Sequence, residues 1–275
     1  MIRVGDFLVR PGGRPRLKNY DSAYTAGYAN EAAAAEKFEA DLAELARLQD
    51  KLMARETHAL LVVFQSIDGS GKDGTIKQVA SRLDPQGCTA LNFKKPSEIE
   101  NRHDYLWRFH QQVPARGHIT FFNRSYYEEV ISARVHGVVD EREAAARCDS
   151  INDFERILDR ERTVVLKVFL HVSKDVQAER VRERLRRRDK QHEFSAADIE
   201  DRDKWDAFDR AYEDAINATA TDAAPWYAVA ADDRPAARVA VARLLVELLE
   251  GLDPQYPPPD PDELEEAGLD EDDLG

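Results

Sequence analysis

Residues 59–75 constrain the fold of this chain more than any other stretch. Ala59–Gln65 is a short apolar run of the kind a buried parallel strand requires. It leads almost directly into Asp68-Gly69-Ser70-Gly71-Lys72-Asp73-Gly74-Thr75. Lys72–Arg82 then reads as a helix that stops before Pro85. A glycine-rich turn between strand and helix lets several backbone N–H groups converge on a phosphate, and the helix N-terminus adds a favourable partial charge. Lys72 is placed to reach the outer phosphate oxygens. Gly69, Ser70, Gly71, Lys72, Asp73, Gly74 and Thr75 are therefore the candidate phosphate-binding residues. Two positions depart from the usual pattern. Ser66 or Gln65 stands where the first glycine would be, and Asp73 replaces the hydroxyl residue that normally follows the lysine and holds Mg²⁺.

Asp68 is the informative addition. A carboxylate beside a phosphate loop repels bare phosphate, so it makes chemical sense in company with a cation. It is a candidate ligand for Mg²⁺, with Mn²⁺ as the alternative ion, or a base orienting an accepting phosphate. The competing reading makes it an ordinary helix N-cap. Asp73 reads as a first-turn helix residue rather than a metal ligand.

Around this segment, strand and helix alternate. Residues 1–27 are punctuated by Gly and Pro and read as a surface arm. Residues 30–55 carry Phe38, Leu42, Leu45 and Leu52 at helical spacing. Further strands are expected at Thr89–Phe93, His118–Phe122, Thr163–His171 and Trp226–Ala230. Helices are expected at Asn101–Gln112, Tyr126–Val135, Ser150–Arg160 with Ser150 as its cap, Lys174–Arg188, Asp198–Asn217 and Arg234–Glu250. This alternation predicts an α/β fold, a doubly wound parallel sheet of about five strands with helices on both faces. The division expected is an arm and amphipathic helix over 1–55, a phosphate-loop kinase domain over 56–251 with a lid at about 178–200, and an acidic, disordered tail over 252–275.

Ligands of open α/β sheets bind beyond the carboxyl ends of the strands, which should bring Asn123-Arg124-Ser125-Tyr126-Tyr127-Glu128 up to the phosphate loop. Arg124 suits bidentate phosphate binding and charge stabilisation during transfer. Asn123 occupies the place where such enzymes often carry a metal-orienting Asp. Glu128 either supplies that carboxylate or forms a helix-surface salt bridge, and Arg134 is a further candidate on the same segment. Arg180, Arg184 and Arg188 share one helix face, with only Glu179, Glu183 and Asp189 to balance the run. They read as lid arginines closing over phosphate and excluding water, in preference to a solvated face. Asp104, Trp107 and Arg108 either hold an acceptor nucleotide or belong to the core.

Net charge is −14, but residues 252–275 hold ten Asp or Glu and no Lys or Arg, so removing those ten leaves about −4. The overall charge of −14 argues against a nucleic-acid partner, although this asymmetry means that the average says little about the active surface. No run approaches the ~20 apolar residues of a membrane span, and Met1–Asp6 lacks a secretion signal, so a soluble cytoplasmic protein is expected. Cys88 and Cys148 match no zinc or redox spacing and read as buried free thiols.

Taken together, the motifs resemble the second family of polyphosphate kinases, within the P-loop kinase superfamily. From about Ala59 to Glu250 these are Asp68–Thr75, Asp84–Gly87, Phe93–Ser97, Asp104–Arg108, Asn123–Val130, Ile151–Glu155, Lys167–Lys174, Ala224–Tyr227 and Ala230–Asp233. The resemblance implies Mg²⁺-dependent, reversible phosphoryl transfer from inorganic polyphosphate to a nucleoside mono- or diphosphate (ADP or AMP, with GDP and GMP as further acceptors). It also implies a homo-oligomer, dimer or tetramer. By motif, Asp68 and Lys72 would serve acceptor phosphates and metal, Arg124 the transfer site, and Arg180 and Arg184 the lid. The lid departs from the family pattern: Lys190 is kept, but the usual Pro, Trp and second Lys give way to Arg186-Arg187-Arg188-Asp189-Lys190-Gln191-His192-Glu193. The competing functional readings are an ATP-dependent small-molecule kinase and a nucleotide-gated switch or assembly ATPase.

Overall fold

A computed structural model describes residues 4–13, 16–25, 27–28, 30–194, 197–260 and 262. Strand β1 is Leu8–Val9 and helix α1 is Glu31–Arg55, capped by the Asn30 side chain. Strand β2, Ala59–Gln65, is buried along its whole length and feeds helix α2, Lys72–Val79. Strands β3 (Cys88–Asn92) and β4 (Ile119–Asn123) follow, separated by the four-residue helix α3, Trp107–His110. Then come α4 (Ser132–Val135), α5 (Glu141–Arg160), β5 (Thr163–His171) and α6 (Lys174–Arg186). Helices α7 (Ala197–Asp203) and α8 (Trp205–Thr219), strand β6 (Trp226–Ala230) and helix α9 (Arg234–Leu252) complete the order.

The six strands lie in the order β1-β6-β5-β2-β4-β3. Five are parallel, and β1 is the antiparallel exception, pairing Leu8 with Tyr227 and Val9 with Trp226. It lies inside the segment expected to be an arm, so the sheet has one strand more than the sequence predicts. Two residues are too few to display an alternating pattern, and the partner lies more than 200 residues away.

Side chains of β2 alternate between two cores, as the two-residue period of a strand dictates. Leu60, Val62 and Phe64 pack with α1, α2 and α9, while Leu61 and Val63 face α5 and α8. Helices thus cover both faces, and the sheet is doubly wound. Among the described residues no helix is long and apolar enough to cross a membrane.

Several element boundaries differ from expectation for local reasons. The expected 101–112 helix is a 3-10 turn, Glu100–Arg102, plus α3, because the Asp104 carboxylate accepts the Leu106 N–H and starts a new turn. The expected 126–135 helix is the 3-10 turn Tyr126–Glu129 followed by α4. Helix α5 begins nine residues before Ser150, with Asp140 as its cap; Ser150 Oγ merely donates to Ala146 O within the helix. The 198–217 helix breaks at Lys204 into α7 and α8. Cys148 is buried as expected, whereas Cys88 is half-buried; both thiols are free. Of the tail, residues 253–260 and 262 are described: Pro254 is buried and Tyr256 Oη donates to Asp50 Oδ2 on α1 at 2.5 Å. Of the disordered tail expected over 252–275, residues 261 and 263–275 lie outside the described residues.

Candidate active site

The parallel strands end in register: Phe64 lies opposite Asn123 and Gln65 opposite Phe169. Two loops therefore leave the carboxyl edge side by side, one carrying residues 66–71 and the other Arg124. In the first, Gly69 (φ +91°) and Gly71 (φ +100°) adopt backbone that side chains disfavour. At Gly69 space is also short, since a Cβ would stand 3.1 Å from Gln177 Cγ. Gly71 occupies the N-cap of α2, so Asp68 is not the helix cap.

Asp68 instead lies between two cations. Its Oδ2 accepts from Arg124 Nη2 at 2.5 Å, and its Oδ1 is 3.5 Å from Lys72 Nζ. Burial pushes this carboxyl up, but Lys72 and Arg124, helped by Arg184, outweigh burial and bring it down to about 2. Asp68 is therefore an anion at any physiological pH. Lys72 is buried and also donates to Ser66 O (2.8 Å) and Ser66 Oγ (3.1 Å), lying along the floor of the loop. Ser66, one of the two residues that stand for the first glycine, hydrogen-bonds Ser70.

Arg124 is held at φ +62°, the left-handed region, while its N–H still donates to Phe64 O at 3.1 Å. That bond continues the sheet one residue past β4 and turns the guanidinium toward Asp68. Beside it, Asn123 Nδ2 donates to Asp73 Oδ1 at 2.7 Å, tying the end of β4 to the first turn of α2. Glu128 shares the field of Arg124 and Lys72, yet burial pushes its carboxyl up. The Gln65 amide, turned so that its nitrogen faces acceptors, donates to Glu128 Oε1 at 3.0 Å.

The arginine-rich helix contributes differently from expectation. Arg180, read as a lid arginine for phosphate, is buried and spends its guanidinium on carbonyls: Ser70 O (2.6 Å), Gly69 O (3.4 Å), Ala231 O (2.6 Å) and Asp232 O (3.0 Å). It is a brace between the phosphate loop and the turn after β6. Arg184, one turn on, acts on the site electrostatically through Asp68. Lys190 lies in the turn after α6, its N–H bonded to Arg187 O. Two braces escaped sequence reasoning. Gln177 Nε2 donates to Asp68 O at 3.0 Å, and Arg202 on α7 holds Gln177 Oε1 at 2.7 Å. Gln177 alone left a local signal, its three-residue spacing to Arg180, which places both on one face of α6.

Four predicted residues do not join this cluster through their own contacts. Arg134 binds Asp214 (2.7 Å) and Glu141 (3.1 Å). Asp104 caps the turn before α3, and Arg108 donates to Lys94 O (2.8 Å) and Glu129 Oε1 (3.3 Å), with its guanidinium 4.6 Å from the Phe109 ring centroid. Trp107 stacks on His103, with ring centroids 4.0 Å apart. Asp104 and Arg108 line a separate pocket of about 310 Å³, to which Glu129 and Arg147 also contribute.

The donor set fits a hard divalent cation in one respect. Asp68 is ionised and 27% exposed, and Mg²⁺ characteristically takes one or two carboxylates and shares its remaining positions with water and phosphate oxygens. Burial pushes the carboxyl of Glu128, the second candidate ligand, up. Among the described residues no three His, Cys, Asp or Glu side chains converge.

A glycine loop over a helix N-terminus, flanked by a lysine, a carboxylate and an arginine at the carboxyl edge of a doubly wound sheet, defines a phosphate-loop phosphotransferase. The comparisons with known proteins narrow this. The family profile of polyphosphate kinase 2 matches residues 28–257, and the chain belongs to that family. It is 43% identical over 255 residues to the AMP/ADP-polyphosphate phosphotransferase of Meiothermus ruber, covering 92% of this chain and 96% of that one. It is 38% identical over 268 residues to the ADP-polyphosphate phosphotransferase of Rhodopseudomonas palustris, covering 93% of each. The crystal structure of polyphosphate kinase 2 from Arthrobacter aurescens superposes with a TM-score of 0.90 at 38% identity, over 95% of this chain and 94% of that one.

Proposed function

We propose that this enzyme moves the terminal phosphoryl group of inorganic polyphosphate to a nucleoside mono- or diphosphate, reversibly and without a covalent enzyme intermediate. The observation that carries the reading is the Asp68–Lys72–Arg124 cluster over the phosphate loop, in a chain whose relatives are named for polyphosphate, AMP and ADP. An oxygen of the acceptor's terminal phosphate attacks the terminal phosphorus of polyphosphate. The P–O bond to the next phosphate breaks, and a chain shortened by one leaves. Such a transfer asks the protein for alignment and charge neutralisation.

In this reading the loop N–H groups and Lys72 hold phosphate oxygens. Arg124 neutralises charge spread over the transferring group, and Arg184 adds positive field from the lid side. Asp68 fixes Lys72 and Arg124 in place and would be the residue that holds Mg²⁺. That ion would supply Lewis-acid neutralisation of phosphate charge. A homo-oligomer of dimeric or tetrameric size belongs to the same proposal and is counted by analytical ultracentrifugation.

The test is ATP formation by luciferase from purified protein, Mg²⁺, long-chain polyphosphate and either ADP or AMP. ATP from ADP, abolished by chelator, is the expected result. ATP from AMP shows that both steps run. If no mono- or diphosphate of adenosine or guanosine gains phosphate, the reading is wrong and an ATP-donor kinase takes its place.

A further inference from the structure

Arg124 presents its guanidinium from a strained backbone. Left-handed geometry is costly for a non-glycine residue and persists only where the surroundings over-determine it. The residues that follow show what does so here. Tyr126 and Tyr127, on the 3-10 turn directly after Arg124, are fully buried and carry their hydroxyls into the body of the protein. Both donate to Glu155 Oε1 on α5, at 2.9 and 2.8 Å. Glu155 Oε2 in turn accepts from Lys167 Nζ on β5 at 2.6 Å. The ammonium spends its other two protons on Tyr127 Oη (3.0 Å) and Thr219 O at the end of α8 (2.7 Å). Every proton of Lys167 is thus placed, although Lys167 and Glu155 are 0% and 1% exposed. Trp226 closes the cluster, its ring 4.7 Å edge-on from Tyr127 and 5.3 Å from the ammonium.

A buried ion pair is a weak device for stability, because desolvating both charges consumes most of what their attraction returns. What this one supplies is direction. It admits a single arrangement of two tyrosine hydroxyls, and those tyrosines are the second and third residues after Arg124. The phosphate chemistry touches none of these groups. We propose that the Lys167–Glu155 pair, acting through Tyr126 and Tyr127, is a positioning device that fixes the turn carrying Arg124 and so sets the reach of its guanidinium over the phosphate loop. The inference rests on the reading of Arg124 given above.

A double-mutant cycle in turnover tests it. Tyr127→Phe keeps the ring and its packing on Trp226 and deletes the hydroxyl; Arg124→Lys keeps a charge and deletes the planar fork. Tyr127→Phe is expected to lower kcat about tenfold, with KM for polyphosphate and acceptor within about twofold. In the Arg124→Lys background the same substitution is expected to cost less than about twofold. A purely structural role predicts a lower unfolding midpoint with kcat of the folded enzyme unchanged, or the same loss in both backgrounds. Either overturns the positioning role while leaving the functional reading intact. Undiminished turnover in Arg124→Lys alone would overturn the reading of Arg124 and the positioning role with it. Should Tyr127→Phe fail to fold, Tyr126→Phe leaves all three acceptors of Lys167 in place and enters the same cycle with the same expectations.

Discussion

Replacing Asp68 by Asn removes the anion that Lys72 and Arg124 share, and the size of the effect follows from its titration. The carboxyl lies at about 2, against 3.8 when unperturbed. Each unit is worth about 1.4 kcal/mol, so the ionised form contributes about 2 kcal/mol to the folded state at neutral pH. The folded pKa is depressed, so this contribution is complete above the unfolded value and is lost as pH falls through the folded value. About half remains at pH 3 and little at pH 2. The side chain is 27% exposed, so solvent screening trims the figure only modestly. Urea unfolding of the wild type and Asp68→Asn should differ by about 2 kcal/mol at pH 7, and the gap should shrink to about half at pH 3. In the luciferase assay the variant should lose at least about a hundredfold in kcat, as expected when a charge-organising group is removed from a preorganised site. A gap that is absent at neutral pH, or that persists unchanged into acid, refutes the electrostatic account. Turnover within threefold of wild type refutes the catalytic one.

Other perturbations test separate parts of the site. Arg180→Met strips four carbonyls of their donor and should cost about 2–4 kcal/mol in chemical denaturation; a loss below about 0.5 kcal/mol would show that Arg180 is not a brace. Glu128 has a raised pKa, so burial charges the fold a cost above that pKa which is relieved as pH falls. Glu128→Gln should therefore leave the pH 7 unfolding midpoint unchanged or higher, and a clear drop would contradict the assignment. A Cβ on Gly87 would overlap the Met53 thioether, so Gly87→Ala should destabilise by about 1–3 kcal/mol in urea. The same substitution should cost less in a Met53→Ala background, and an equal cost there would place the strain elsewhere.

Sequence and structure agree best where hydrophobic runs are long. Ala59–Gln65, Thr163–His171 and Trp226–Ala230 keep the predicted ends, and the other two parallel strands shift by one residue. A buried strand must be continuously apolar, and that signal is local. The start of helix α5 differs from expectation because its first half, Glu141–Asp149, is charged and alanine-rich and shows no apolar stripe. Its true start was nonetheless written in Asp140 and Glu143, which have the spacing of a capping box. At the site, the loop, Asp68 and Arg124 were legible because strand ends converge in this sheet class. The task of Arg180 was not: whether an arginine grips a ligand or braces carbonyls depends on what packs above it. The tasks of Gln177 and Arg202 were hidden for the same reason, since their partners lie 109 and 25 residues away.

The short strand Leu8–Val9 has a consequence for how these molecules behave toward one another. A sheet border with unpaired amides is an adhesive seam, open to any passing strand. Here the β6 seam is stitched shut by two residues running the opposite way. Among the described residues the far border, β3, has no such cover from another strand, and Thr89 and Ala90 on it are exposed. The molecule is thereby polarised, with one margin closed to growth and one open. Clipping the first ten residues would free the closed margin. A concentrated preparation should then form strand-paired aggregates from a side that the full chain keeps silent.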